Sequence, residues 1–256
     1  MSLMGCFLRG VLEGYRSEQV DLGRVRAGDD PNVGTIILHR LGDVQETTVS
    51  STALRAPKAA KVALDKAREN IDKRQLAGAE KELRKAVQLY PKYAEAWQDL
   101  GTVLQSQNRA ADARKAYLES IASDSKFVLP LLSLARLSAT ERNWQDSLDQ
   151  SAAVTRLDPT RFPAAYYYAA VAHYNLDHLD QAIENARQAV KLDSAHAVPL
   201  AEQLLGVLFS TQGDYKSAAE QFRNYLQHVP PTTNVEPVKA LLAEAEKRAG
   251  QSGSLR

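Results

Sequence analysis

Five histidines, His39, His173, His178, His196 and His228, are the side chains of this 256-residue chain best suited to hold a metal or move a proton near neutral pH. None stands in an HExxH pattern or another close metal-ligating pair. His173 and His178 are five residues apart and flank a turn, so they read as exposed turn histidines. The single cysteine, Cys6, excludes an intramolecular disulfide, a CxxC redox site and a thiolate zinc cluster. It reads as an inert strand cysteine, because no histidine is near it in sequence to activate the thiol. Asp177 and Asp180 flank a turn, and the second reads as a helix cap. There is no GxxxxGK[ST] phosphate loop, no GxGxxG opening a helix after a strand and no GxSxG elbow. No catalytic residue, metal site or cofactor is expected, and the chain does not read as an enzyme.

The bulk properties narrow the alternatives further. Hydrophobic residues at 44% and charged residues at 25% are ordinary globular values, which excludes a wholly disordered chain. Lys and Arg (32) balance Asp and Glu (31), so no global field draws the chain to nucleic acid or to an anionic membrane. The one basic run, Lys58, Lys61, Lys66, Arg68, Lys73 and Arg74, is interleaved with Asp65, Glu69 and Asp72 and reads as a salt-bridged solvated helix. No apolar run approaches the roughly 20 residues of a membrane-spanning helix; the best, Phe127 to Leu137, is broken by Pro130 and Arg136. Leu3-Met4-Gly5-Cys6 looks like a lipobox, but five residues before a cysteine leave no room for an export signal.

The elements that must position any site come from an internal repeat. Ala67, Gly101, Ala135, Ala170 and Gly206 are spaced 34, 34, 35 and 36 residues apart. Ala79, Ala113, Ser147, Ala182 and Ala218 repeat the same spacings. Pro91, Pro159 and Pro230 close units. Within the second unit Trp97, Leu100, Gly101 and Leu104 share one helical face, Gln107-Asn108-Arg109 breaks the pattern, and Ala113, Tyr117, Ser120 and Ile121 form a facing stripe. Two antiparallel helices joined by a short turn approach closely, so each needs a small residue at the crossing. Such a hairpin cannot bury its apolar stripe alone and must stack on its neighbours.

Trp97-x2-Leu100-Gly101-x2-Leu104 followed by Ala113-x3-Tyr117 resembles the tetratricopeptide-repeat signature, and Leu205-Gly206-x2-Phe209, Gly213-Asp214-Tyr215, Ala218-x3-Phe222 and Pro230 resemble it more fully. The resemblance implies an all-α fold: a right-handed α-α superhelix of five units, 60–93, 94–127, 128–161, 163–196 and 199–232. Three units depart from the signature. The first has Lys66 and Asn70, the third Ser138 and Ser151, where large apolar residues are usual, and the fourth ends in Ser194 instead of proline. Beyond Pro230-Pro231, Val235, Val238, Leu241, Leu242 and Ala245 form the stripe of a capping helix over 233–249, followed by a tail, 250–256.

The first 43 residues differ, with seven of the 13 glycines at 5, 10, 14, 23, 28, 34 and 42. Cys6–Leu12, Glu18–Leu22 and Thr35–Leu41 read as strands, with turns at Glu13-Gly14, Gly28–Pro31 and Gly42-Asp43. Gly14-Tyr15-Arg16-Ser17 with Val20-Asp21-Leu22 resembles the end of a carboxypeptidase-regulatory-like β-sandwich, as in bacterial repeat proteins with such a domain in front. That resemblance implies a chain that begins inside the sandwich. Residues 44–59 then form a linker running into the first helix. The localisation follows from this: cytoplasmic as the sequence stands, extracytoplasmic if strands are missing ahead of it.

The repeat resemblance also implies a concave groove lined by the first helix of each unit. The expected partner-binding residues are Leu132, Arg136, Tyr167, Val171, Tyr174, Asn175, Gln203 and Val207, a mixture suited to a protein or peptide segment. In Tyr166-Tyr167-Tyr168, Tyr166 reads as core, Tyr167 as groove and Tyr168 as packing against the next unit. The carboxylate clamp of repeat co-chaperones maps onto Leu64, Arg68, Asp99, Leu129 and Ser133, of which only Arg68 carries a suitable charge. A non-catalytic scaffold is therefore expected, the alternative being a spacer that presents a carbohydrate- or surface-binding sandwich.

Overall fold

A computed structural model describes residues 50–253, with side chains through Gln251, and the backbone of five short strands between Phe7 and Arg40. The chain divides into two units, Met1–Thr47 and Thr48–Arg256. In the first, β1 (Phe7–Leu8) pairs antiparallel with β4 (Val20–Asp21), Phe7 opposite Asp21. A second sheet has the order β2 (Val11–Leu12), β3 (Tyr15–Ser17), β5 (Leu38–Arg40), with Leu12 opposite Tyr15 and Arg16 opposite His39. The run Cys6–Leu12, read as one strand, thus contains two strands in different sheets. Leu3–Cys6, the expected turns, residues 44–49 and residues 254–256 lie outside the described residues.

The second unit is helical. α1 (Ser51–Arg55) precedes five hairpins: α2 (Lys58–Asp72) with α3 (Leu76–Leu89), α4 (Ala94–Ser106) with α5 (Ala110–Ser123), α6 (Val128–Thr140) with α7 (Trp144–Leu157), α8 (Pro163–Asn175) with α9 (Leu179–Leu192), and α10 (Leu200–Gln212) with α11 (Tyr215–His228). α12 (Glu236–Gly253) closes the array, buries Val238 and Ala245, and leaves Leu241 of the expected stripe exposed. It runs through most of the stretch expected to be a tail.

The hairpin turns repeat one geometry. Arg74, Asn108, Arg142, Asp177 and Gly213 all have positive φ, between 57° and 83°. The residue after each donates its backbone N–H five residues back, Gln75 to Asn70, Arg109 to Leu104, Asn143 to Ser138, His178 to His173 and Asp214 to Phe209, at 2.8–2.9 Å. This is the Schellman bond, which satisfies a carbonyl orphaned at the helix end. Only the fifth hairpin uses glycine there, and the other four hold a left-handed L-residue.

The crossings explain the small-residue series. A Cβ added at Gly101 would stand 2.4 Å from the Tyr117 ring, and one at Gly206 would stand 2.6 Å from the Phe222 ring. Both rings are completely buried. The hairpins with Ala67, Ala135 and Ala170 at this position carry Leu83, Ser151 and Ala186 where the others carry the aromatic ring. Volume is therefore traded across each crossing, glycine against an aromatic and alanine against something smaller.

The prolines do more than end helices. The Pro91 carbonyl accepts from the Trp97 indole at 2.8 Å, and the Pro159 carbonyl accepts from the Tyr166 hydroxyl at 2.9 Å. Tyr166, read as core from its position, is for this reason only half-buried: its ring packs while its hydroxyl reaches out to the preceding loop. Asp124, Asp158 and Asp193, at the C-caps of α5, α7 and α9, form a further series spaced 34 and 35 residues apart. Each carboxylate accepts backbone N–H groups of the following loop: Lys126; Thr160 and Arg161; Ala197 and Val198.

The core forms one large cluster from Ala56 to Leu137, a second from Ala170 to Ala245, and a small one of Val128, Val154 and Ala165 between them. It thins at the third hairpin, where Ser138, Ser147 and Ser151 are buried. Ser147 satisfies itself on the Ala135 carbonyl at 3.0 Å, while the Ser151 hydroxyl finds no partner among the described residues.

Residues 50–56, expected to belong to a linker, are a strap on the second hairpin. The Thr52 hydroxyl accepts the Ala94 N–H at 3.1 Å and so caps α4 from outside. The Ser50 hydroxyl, the Ser51 N–H and the Ser51 hydroxyl all donate to one Asp124 oxygen at 2.6–2.9 Å. Partial burial raises the Asp124 pKa, but the bonds from Ser50, Ser51 and the Lys126 N–H outweigh it and hold the carboxyl below its usual value. A carboxyl depressed in the folded state stabilises it above the unfolded pKa of about 3.9, and that contribution is lost as pH falls through the lower folded pKa. Asp124→Asn is therefore expected to lower the unfolding midpoint at pH 7 and to flatten its decline below about pH 4, the range set by the unfolded carboxyl. Thermal unfolding of both proteins between pH 7 and pH 2 checks this; parallel curves would show that the strap contact is not coupled to Asp124 ionisation.

Candidate partner-binding groove

The first helices α4, α6, α8 and α10 stand side by side. All eight residues expected to bind a partner lie on them: Leu132 and Arg136 on α6, Tyr167, Val171, Tyr174 and Asn175 on α8, Gln203 and Val207 on α10. Their environments differ. Leu132 and Val207 are half-buried and pack on core clusters, so they serve the fold as much as the surface. Val171 is half-buried but belongs to neither cluster of its neighbourhood. Tyr174 is exposed, and the exposed Asn175 amide donates to the Val171 carbonyl at 2.7 Å, which turns it onto its own helix.

Tyr167 and Tyr168 meet with ring centroids 5.3 Å apart. Burial raises both phenols above their usual pKa, and the Arg136 guanidinium partly offsets this at Tyr168. Tyr168, expected to pack toward the next unit, thus lies within electrostatic reach of α6 in the preceding one.

The groove becomes polar toward the second hairpin. Gln105 Oε1 accepts from the Tyr117 hydroxyl at 3.0 Å and from Arg136 at 3.1 Å. Thr102, Gln105, Ser106 and Arg136 line an open cavity of about 260 Å³. The Gln98 amide donates to Ser133 at 3.0 Å, but its buried carbonyl oxygen has no partner among the described residues. Arg136 is exposed, and its hydrogen bond among the described residues goes to a neutral amide. Arg68 is different: it is held by Asp99 at 2.8 Å and Glu95 at 3.3 Å. The single charge matching the co-chaperone clamp is thus already neutralised.

Of the two histidines expected in an exposed turn, His178 is exposed at the N-cap of α9, but His173 is half-buried in the last turn of α8. Their Nδ1 atoms are 3.5 Å apart, and burial together with the His178 ring lowers the His173 pKa. A cluster that the sequence reading does not contain is His196, Glu202 and His228, whose ligand atoms lie within 4.8 Å of one another. The only hint in the sequence is that His196 and His228 are separated by 32 residues, close to one repeat.

Residues 163–196 match the family model of a tetratricopeptide repeat. A comparison with curated proteins finds no match. Among solved structures the chain is similar to pilF of Pseudomonas aeruginosa, at 18% identity over 77% of this chain and 88% of that one, TM-score 0.65. It is similar to MamA of Desulfovibrio magneticus RS-1, at 18% identity over 68% and 96%, TM-score 0.60. It is also similar to TTC0263, a thermophilic tetratricopeptide-repeat protein of Thermus thermophilus, at 17% identity over 73% and 98%, TM-score 0.55. At such identities the likeness is one of fold. The helical unit has the superhelical fold of tetratricopeptide-repeat solenoids, and its fourth hairpin is the one that matches the family model. Among the described residues no helix is long and apolar enough to cross a membrane.

Proposed function

We propose that the chain is a non-catalytic interaction scaffold that holds an extended or helical segment of another protein along the first helices of hairpins two to five. The observation that carries this reading is Arg136. It is an exposed guanidinium at the head of the groove, tethered only to the neutral Gln105 among the described residues, with Tyr168 nearby and Tyr174 exposed on the next first helix. Arginine and tyrosine are among the residue types most enriched at protein-binding hot spots. The partner segment is expected to place an acidic side chain at Arg136 and an apolar or aromatic one beside Val171 and Tyr174. Gln98, Thr102 and Gln105 supply amide and hydroxyl groups for its backbone.

The test uses the full chain as bait and then measures the recovered partner against Arg136→Glu. Reversal of a charge facing an acidic group is expected to weaken binding by at least about 10-fold, the lower range for a desolvated charge pair. Unchanged affinity, with the helical signal intact, would remove Arg136 from the interface.

A further inference from the structure

We infer that His196, Glu202 and His228 form a binding site for a divalent transition-metal ion, with zinc the best match. The three residues come from separate elements at one edge of the solenoid. His196 lies in the connection between α9 and α10, Glu202 in the first turn of α10, and His228 is the last residue of α11. Glu202 is only 5% exposed and faces two imidazoles. His196 Nδ1 stands 3.4 Å and His228 Nδ1 3.3 Å from the same carboxylate oxygen, Oε1. No lysine or arginine pairs with Glu202 among the described residues. A buried carboxylate with no permanently charged side chain beside it is costly, so the arrangement needs a reason.

The spacing supplies one. Nitrogen and oxygen ligands held at about 2.0–2.1 Å from a tetrahedral ion stand about 3.3–3.4 Å from one another, which is the separation of each imidazole nitrogen from Glu202 Oε1. Two imidazoles and one carboxylate are a recognised zinc ligand set that leaves a fourth position for water. The loop that carries His196 is also held in place, by the bonds that brace the equivalent loops after Asp124 and Asp158. Asp193 accepts the Ala197 and Val198 N–H groups at 2.8 and 2.6 Å, and its carbonyl accepts the His196 N–H at 3.1 Å.

One movement is required. The two rings are stacked, with centroids 3.4 Å apart and planes 15° apart. An ion must lie near the plane of each ring it binds, and rings stacked face to face cannot share it, so the rings must splay. His196 is the one able to swing: its side chain is 42% exposed and its φ is +50° in a connecting segment. The bound ion would fasten the connection from hairpin four to both ends of hairpin five.

Titration of the full chain, freed of metal, with Zn²⁺ and Co²⁺ tests this. Saturable binding of one ion per chain, a rise in the unfolding midpoint with Zn²⁺, and the intense visible absorption of tetrahedral Co²⁺ are expected. His196→Ala and His228→Ala should each weaken binding by at least about 10-fold, as loss even of outer-shell support does. Glu202→Gln, which keeps the shape of the buried side chain, should do the same. His173→Ala with His178→Ala should change nothing. The exposed His196 makes its variant a safe probe of binding separate from folding. Absence of saturable binding, binding unaltered in His196→Ala, or loss of binding only in the His173/His178 variant would each overturn the assignment.

Discussion

Gly206→Leu is expected to lower the stability of the solenoid by about 1–3 kcal/mol, the usual cost of forcing extra carbons into a filled core. The sign is informative because leucine favours a helix over glycine by nearly 1 kcal/mol, which alone would stabilise α10. The steric effect wins because even the first added carbon would lie 2.6 Å from the Phe222 ring, which is completely buried and cannot retreat. Gly250 in α12, where an added Cβ meets nothing within 4 Å, provides the control: Gly250→Ala should be neutral or slightly stabilising. The first hairpin indicates the rescue, since Ala67 there is matched with Leu83. Gly206→Ala combined with Phe222→Leu should therefore lose less than the two single changes added together. Thermal unfolding of the set checks all three; additive losses would mean that the two positions do not share one space.

Val171→Glu with Tyr174→Glu is expected to abolish partner binding while leaving the unfolding midpoint within the range of ordinary surface changes, about 0.5 kcal/mol. Tyr174 is 38% exposed, and Val171 lies outside the core clusters, so in the free protein both carboxylates remain solvated. In a complex they would be desolvated without a counter-charge. Val207→Glu is expected to behave in the opposite way. Val207 packs on the cluster containing Leu205, Leu208 and Phe222, so its replacement by a charge should destabilise the fifth hairpin whether or not a partner is present. The contrast between two valines at equivalent repeat positions separates groove from core. A large stability loss from Val171→Glu would place it with the core.

These expectations mark how far the sequence could be read. The hairpin array follows from two small-residue series with common spacings, because close helix crossings leave a periodic trace that single substitutions do not erase. Gly101 and Gly206 were legible for that reason, and so was the weak third unit, where Ser138 and Ser151 occupy large-residue positions. The strap at residues 50–56 was not, because its cap on α4 is made by Thr52 on a residue 42 positions away, a contact with no local pattern. Tyr166 is half-buried and not core because helical position fixes where a ring starts and not where its hydroxyl ends. Division of the groove residues into Val171 and Tyr174 against Leu132 and Val207 depends on neighbouring helices, which periodicity leaves open. The His196, Glu202 and His228 cluster is assembled by the solenoid's turn and has no short-range spacing to find.

The most direct test of the groove reading is a site-by-site photocrosslinking scan with the captured partner. A photoreactive residue would replace Tyr174 or Arg136 on first helices, and Leu118, 53% exposed, on the second helix α5. If the groove holds the partner, crosslinks form at Tyr174 and Arg136, fall on one short partner segment, and are absent at Leu118. Crosslinks at Leu118 with none at the two first-helix positions would contradict the reading and move the interface to the outer face.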